Sequence, residues 1–465
     1  MKFTTKNGRV FGIFIILLVL IVAIVAFLFL SPTFERVSPK VLVEKEIYWN
    51  LQKPIKINIT DNNEIKSYMV SFNDGQKQIT LDTKVIKNEK GSLELEILPP
   101  SFDESYKPKE GNLKFDVYDA SKWNFFKGNQ TVVTSKLIID RKSPIANVIS
   151  NSYLLRQGGA GVIVVEVSDE NLKDYYISFN DEEIFELFPF YKKNFFISII
   201  TWPVQTKEFK RVNLVAVDMA GNKSVTKVPF YIKNFVEKTD DIKVSDDFIN
   251  SVSRQVLETS EMSIPNDTPE IFIKSNKELR EKNIKTIKEV VKKNFSNTLI
   301  TSYDIKPFLR LENAATVAGF GERRSYFYNE QKIDEEWHLG NDWASVKRAP
   351  IKTFNDGKVI FKDYLGIYGN SIILDHGLGV ASLYAHTSSA NVELNDEVKA
   401  GQQIANTGAT GAVFGDHLHF GMLVQGIEVN PNEWLDFTWM KTNVTKTIED
   451  AIKLINGSSK WSKER

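Results

Sequence analysis

The sequence predicts a mainly β protein carried on a membrane anchor, and three observations predict it. The run VFGIFIILLVLIVAIVAFLFL, Val10 to Leu30, is uncharged and apolar over the length of a bilayer-spanning helix. Two segments about a hundred residues apart echo one another in short alternating runs broken by Asn, Asp and Gly. From about Thr301 the chain turns to glycine-punctuated β segments. In order, the parts are a cytoplasmic tail (1–9), a transmembrane anchor (10–30), two β-sandwich domains (38–142 and 143–235), a helical linker (236–300), a β domain (301–440) and an amphipathic helix with a charged tail (441–465).

The anchor reading follows from its flanks. Lys2, Lys6 and Arg9 precede the apolar run, so the N-terminus belongs in the cytoplasm and the bulk of the chain outside it. The run ends FLFLSPTFER, with bulky residues where a signal peptide would need small ones for cleavage. A single-pass protein of the cytoplasmic membrane, facing the periplasm or extracytoplasmic space, is the expectation. Net charge is zero, which argues against a nucleic-acid partner. No cysteine is present, so disulfides and thiolate metal sites are excluded.

The echo between the β domains runs without a gap from Lys66 and from Lys173, KSYMVSFND against KDYYISFND. NLKFDVYDA from Asn112 is echoed by NLVAVDMAGN from Asn213. Runs such as YMVSF and GVIVVEVSD alternate as sandwich strands do. VDMAGNKS resembles a turn found late in bacterial immunoglobulin-like domains, which implies that fold for both copies. Neither copy clusters titratable groups, so both read as spacers.

In the linker, SDDFINSVSRQVLE spaces Phe248, Val252 and Val256 four apart, and Ser275 with Glu278 has capping-box spacing at the start of a second helix. Leu279, Ile287 and Val291 give that helix an apolar stripe, which must pack on something. The second β domain or the partner helix is the favoured cover. The groove side of the following domain is the alternative.

All five histidines, His338, His376, His386, His417 and His419, fall in the C-terminal β domain. In a strand, residues two apart share a face, so HLHF aims His417 and His419 at one spot and turns Leu418 and Phe420 inward. Catalytic zinc needs three protein ligands and one open position. HLGNDWA supplies His338 and Asp342 across a glycine-containing turn, and one of the two later histidines completes a His₂Asp set. The histidine left over, with His386, is free for proton transfer.

FGERR at Phe320, HLGNDWA at His338, YAHTS at Tyr384 and GDHLHF at Gly415, in that order, resemble the signature of the lysostaphin/LytM-type zinc metallopeptidases. VNPNEWL after them fits as well. The resemblance covers about residues 305 to 438. It implies a compact antiparallel-β peptidase domain with a groove, Zn²⁺ as cofactor, and hydrolysis of peptide bonds in bacterial peptidoglycan. Residue by residue, it implies His338, Asp342 and His419 as metal ligands and His386 and His417 as catalytic histidines. The implied activity is a membrane-anchored endopeptidase on peptide cross-links, with the D-Ala to meso-diaminopimelate bond favoured because an anchored spacer suits a thin wall. The alternative is a non-catalytic LytM-like module that activates other wall hydrolases. Partners would then be peptidoglycan, the membrane and proteins of the cell-wall machinery. The insert RSYFYNEQKIDEEW before His338 departs from the family pattern. His376 has no assigned role, and Arg323 and Arg324 suit a salt bridge under the groove as well as a substrate contact.

Overall fold

The computed structural model describes residues 6–86, 90–102 and 105–461. The first five residues of the expected cytoplasmic tail and the last four of the charged C-terminal tail lie outside the described residues. The chain divides into two compact units, Met1–Ser143 with Val217–Asn222, and Pro144–Ala216 with Lys223–Arg465.

In the first unit, Lys6–Leu30 is one helix, and its stretch Val10–Leu30 has a mean hydropathy of 3.7 with none of it buried. It is long and apolar enough to cross a bilayer. Ser31 and Pro32 end it, since proline cannot continue the ladder. The β part is organised by one strand of 19 residues, Ile55–Asn73. Its first half pairs with Lys90–Ile97 and its second with Gln78–Val85. Its other edge pairs with Glu110–Asp119, which pairs with Gln130–Ile139. The echoed segment lies here: Tyr68, Val70 and Phe72 face a core with Leu113, Phe115 and Leu137, while Met69 faces outward.

The second unit starts with two four-stranded sheets. One holds Ile145–Asn151, Ala160–Ser168, Phe195–Thr201 and Phe188–Pro189, and the other holds Leu172–Phe179, Glu183–Phe185, Val212–Asp218 and Lys223–Lys227. Ile163, Val165, Ile177, Phe179, Trp202 and Leu214 fill the space between them. The strand Ala160–Ser168 is buried on both faces. Ala160, Val162 and Val164 point the other way, into a core shared with Trp434, Trp439, Val444 and Ile448. The C-terminal helix Lys446–Trp461 lies against this strand and its neighbour Ile145–Asn151.

The C-terminal domain is built on an eight-stranded sheet. From one edge run Ala315–Ala318, Asn341–Ala344, Leu418–Val424, Val380–Ala385, Asn370–Asp375, Gly357–Tyr364 and Glu397–Val398, antiparallel throughout, with Ile427–Val429 added beside Leu418–Val424. One face, with Trp343, Val359, Tyr384 and Phe420, joins the core just described. The opposite face, with Ile373, Ala381, Leu383 and Leu423, is covered by Val256, Leu257, Ile271, Phe272, Leu279, Ile287 and Val291.

The stretch read as a linker is therefore part of this domain. Its stripe packs on the sheet, not on the second β domain, because that sheet face is apolar and without other cover. The second helix starts at Thr268 with Pro269 in its first turn, and runs unbroken through 268–293. Ser275 is not a cap. It is buried in mid-helix and its hydroxyl donates back to the carbonyl of Phe272 at 2.9 Å. Ahead of the helices, Lys238–Lys243 forms a strand parallel to Glu322–Tyr328, and the insert before His338 folds as the hairpin Glu322–Tyr328 with Gln331–His338.

Candidate metal centre and its cleft

Three strands bring the site together. His338 ends the insert hairpin, and the chain reverses through Leu339 and Gly340 into Asn341–Ala344. Asp342 then sits directly opposite His419 in antiparallel register. On the far side of Leu418–Val424, Ala385 pairs with His419, which delivers His386 just past the strand end. His417 stands immediately before that strand, while Leu418 and Phe420 turn into the core.

The three donor atoms converge. His338 Nε2 lies 3.2 Å from His419 Nδ1 and 3.0 Å from Asp342 Oδ2, and His419 Nδ1 lies 2.8 Å from Asp342 Oδ1. A tetrahedral zinc with Zn–N bonds of about 2.0–2.1 Å holds its donors roughly 3.3 Å apart, so the set fits with shifts of a few tenths of an ångström. His338 Nδ1 lies 2.8 Å from the Gly319 carbonyl, a donor's position, which leaves Nε2 with its lone pair toward Asp342. Among the described residues, His419 Nε2 is buried without a hydrogen-bond partner. His338, Asp342 and His419 could together hold a metal ion.

Gly340 makes this approach possible. A Cβ there would lie 2.5 Å from His419 Nε2 and 2.8 Å from the Phe420 carbonyl. The glycine between the two candidate donors of the turn is thus a packing requirement for the third.

The electrostatics suit a cation. Burial would raise the Asp342 carboxyl, but His338 and His419 outweigh burial and hold it well below the usual range. Burial pushes His419 down to about 4, against the pull of Asp342. Burial, then repulsion from His417 and His419, pushes His386 down to about 3. At neutral pH both rings are neutral, the form in which His419 can bind metal and His386 can accept a proton.

His386 and His417 are held alike. Each directs Nδ1 at a backbone carbonyl 2.8 Å away, that of Thr410 for His386 and that of Gly415 for His417. Each is left with Nε2 for the cleft, and that of His417 is 3.8 Å from Asp342 Oδ1. The two rings are 4.9 Å apart, and His386 takes a left-handed φ of 61° to reach its place.

The remaining sequence candidates separate. His376 is elsewhere in the domain, spanning the Asp356 carbonyl and Ser382 Oγ at 2.8 Å each, with its ring edge on Phe308. Arg323 is tied up with Glu237 and Glu335. Arg324 reaches the cleft, 3.6 Å from Asp342 Oδ2 and 3.5 Å from Glu322.

The cleft, of about 460 Å³, holds all four clustered histidines and Asp342. Its far wall comes from the helices: Phe248, Phe272, Asn276 and Arg280. Phe248 stacks on Phe414 with ring centroids 4.2 Å apart. Tyr368 forms part of the floor, its ring 5.5 Å from that of His419 and its hydroxyl donating to buried Glu428 at 3.0 Å. Of these residues the sequence singles out Phe248, by its four-residue spacing with Val252 and Val256, but not its place in the cleft. Asn276 and Arg280 carry a weaker signal, as polar positions flanking the Leu279 stripe.

The peptidase family M23 profile matches residues 336–431, the span from just before His338 to just after the His419 strand. The chain carries a peptidase M23 domain. A DD-carboxypeptidase/endopeptidase of Neisseria meningitidis is 36% identical to the M23 region over 106 residues, 22% of this chain and 24% of that protein. The murein hydrolase activator EnvC of Escherichia coli is 37% identical over 108 residues, 23% of this chain and 26% of that protein. The chain thus spans about a quarter of the length of these relatives. Among solved structures, the catalytic domain of lysostaphin from Staphylococcus simulans is 29% identical, with 27% of this chain and 94% of that chain covered and a TM-score of 0.23.

Proposed function

We propose that this chain is a membrane-anchored, zinc-dependent endopeptidase that hydrolyses peptide cross-links of peptidoglycan, with the D-Ala to meso-diaminopimelate bond as its substrate. The convergence of His338 Nε2, Asp342 and His419 Nδ1 at the bottom of an open cleft carries the reading. Zinc held there supplies Lewis acidity toward a scissile carbonyl and lowers the pKa of water to about 7. Asp342 offsets the cation's charge, and its low affinity for protons keeps it ready to do so. His417 and His386 hold Nδ1–H on backbone carbonyls, so each presents Nε2 to take a proton from the attacking water or return one to the leaving amine. Val317 and Phe414, both exposed on the cleft, offer apolar surface to a bound peptide.

The setting suits the activity. Lys6–Leu30 is the anchor, with the N-terminus cytoplasmic and the M23 domain in the periplasm or extracytoplasmic space. The two β domains are read as immunoglobulin-like, and proteins of the cell-wall machinery are the expected partners. A second reading, a non-catalytic activator of other hydrolases, is favoured by the likeness to EnvC and by the helices that line the cleft. Zinc analysis and muropeptide mass spectrometry on one protein sample separate the two. The peptidase reading requires bound zinc and new D-Ala and diaminopimelate ends from cross-linked sacculi. It also requires His338→Ala, Asp342→Ala and His419→Ala each to lose both. Intact sacculi beside stoichiometric zinc would leave the activator reading standing.

A further inference from the structure

The loop 122–127, Lys-Trp-Asn-Phe-Phe-Lys, has no role in the chemistry above and is built in an unusual way. Asn124, Phe125 and Phe126 take φ of 52°, 53° and 66°, three left-handed residues in succession where none is glycine. Side chains resist that conformation, and it persists where surroundings impose it. The result is that Phe125 and Phe126 point outward, 92% and 68% exposed.

The loop is fixed at its base. Asp119 accepts from the backbone N–H of Ser121 at 3.0 Å and of Asn129 at 2.7 Å, which clamps the two ends together. Gly128, with φ of 91°, passes where a Cβ would lie 2.5 Å from the Asp119 carbonyl. The base is tied in turn to the segment leaving the anchor helix. Lys122 N–H donates to the Thr33 carbonyl at 2.8 Å, and Ser121 Oγ to that of Glu35 at 2.7 Å. Trp123 meets Phe29 in the last turn of the helix, 6.4 Å between centroids. The Arg36 guanidinium sits on both rings, 3.7 Å from one centroid and 4.0 Å from the other. Lys122 and Lys127 flank the phenylalanines, and Lys66 Nζ reaches the Phe126 carbonyl at 3.4 Å.

We infer that this loop is a second membrane contact: Phe125 and Phe126 enter the headgroup region of the leaflet the anchor leaves, and Arg36, Lys66, Lys122 and Lys127 face its phosphates. Continuity argues for lipid as the occupant. Trp123 and Arg36 bind the loop to the outer end of the apolar helix, where that helix reaches the water boundary. Aromatic side chains favour this depth, and cations beside them gain from anionic lipid. The first β domain is then held to the bilayer surface at two points, not hung from one flexible tether. The inference rests on the anchor reading of Lys6–Leu30.

The chain has no cysteine, so a nitroxide placed on an introduced one reports a single position. Full-length protein carrying Val19→Cys, Val85→Cys, Phe125→Cys or Phe126→Cys would be labelled. Each would be reconstituted in vesicles of phosphatidylethanolamine with phosphatidylglycerol as the minor component. Collision rates with oxygen and with a water-soluble nickel chelate would be measured for each. Position 19 should read as bilayer interior, and position 85, on an exposed strand residue, as water. Positions 125 and 126 should show nickel collision rates several-fold below position 85, and should return toward it when Lys122→Glu and Lys127→Glu are added. Water-like values at 125 and 126 beside a buried 19 would overturn the inference alone. A water-like 19 would overturn the anchor reading, and the inference with it.

Discussion

Glu433 offers a quantitative test of how the M23 domain joins the β domain before it. Its carboxylate is 4% exposed, accepts the Ala160 N–H at 2.9 Å and lies 3.9 Å from the Arg156 guanidinium. Burial, against help from Ala160 and Arg156, carries its pKa from 4.5 up to about 7. Below about pH 4.5 the group is protonated both folded and unfolded and costs nothing. Between 4.5 and 7 the unfolded chain ionises first, so folding stability falls as pH rises, and above 7 the cost is complete. Carried across that span, it amounts to about 3 kcal/mol. Glu433→Gln keeps the shape and the acceptor for Ala160 but cannot ionise. Urea unfolding of the detergent-solubilised chain, followed by tryptophan fluorescence at pH 5 and pH 8, reads the effect. The variant should exceed the parent by about 1 kcal/mol at the lower pH, give or take the fit to Arg156, and by about 3 kcal/mol at the higher. Asp375 titrates in the same range at about 6, so the difference between variant and parent is the quantity to follow. A constant difference at both pH values would refute the reasoning, because a neutral-pH charge buried at that site would then carry no cost.

Three further outcomes follow from the site and its cover. His386→Ala and His417→Ala should retain zinc yet cleave cross-linked sacculi about 10² to 10⁴-fold more slowly, as loss of a proton-transfer group predicts; a parental rate in either removes it from the chemistry. Gly340→Ala should fold but hold zinc more weakly, since its methyl meets His419 Nε2 at 2.5 Å, and competition with a chelator measures the loss. Leu279→Ala, at a site 1% exposed on the sheet's helical cover, should cost about 2–5 kcal/mol in the same urea assay; no loss would mean that the stripe does not pack there.

Much of the candidate centre was legible because its chemistry is written in rare residues at fixed offsets. His338 and Asp342 flank a glycine turn, and the pair His417 and His419 precedes alternating core residues, so a reader of the sequence can place both on their strands. Which nitrogen of each ring faces the centre was not legible. It depends on carbonyls of Gly319, Thr410 and Gly415, and carbonyls carry no sequence mark. The cover of the sheet was half legible. Leu279, Ile287 and Val291 announced an apolar face, but a stripe records that something is covered and not what. In sequence the strand Ala160–Ser168 reads as simple alternation, and the structure differs. Its continuous apolar run from Val162 to Val165 is the pattern of a strand buried on both sides, and the structure buries it so. The strand Lys238–Lys243 gave no signal at all: KTDDIK is polar and mostly exposed, and its backbone pairs only because the insert hairpin offers an open edge.

The two-faced strand also sets what can be exchanged between proteins by recombination. A β domain joined by a plain tether is portable, since a crossover in the tether leaves each half its own core. Here a crossover near residue 236 would part Ala160, Val162, Phe190 and Ile199 from Trp439, Val444 and Ile448, and both products would carry a raw oily face. A crossover near Ser143 falls before every one of these residues. Inheritance should therefore keep Ala160, Val162, Phe190 and Ile199 in one block with Trp439, Val444 and Ile448.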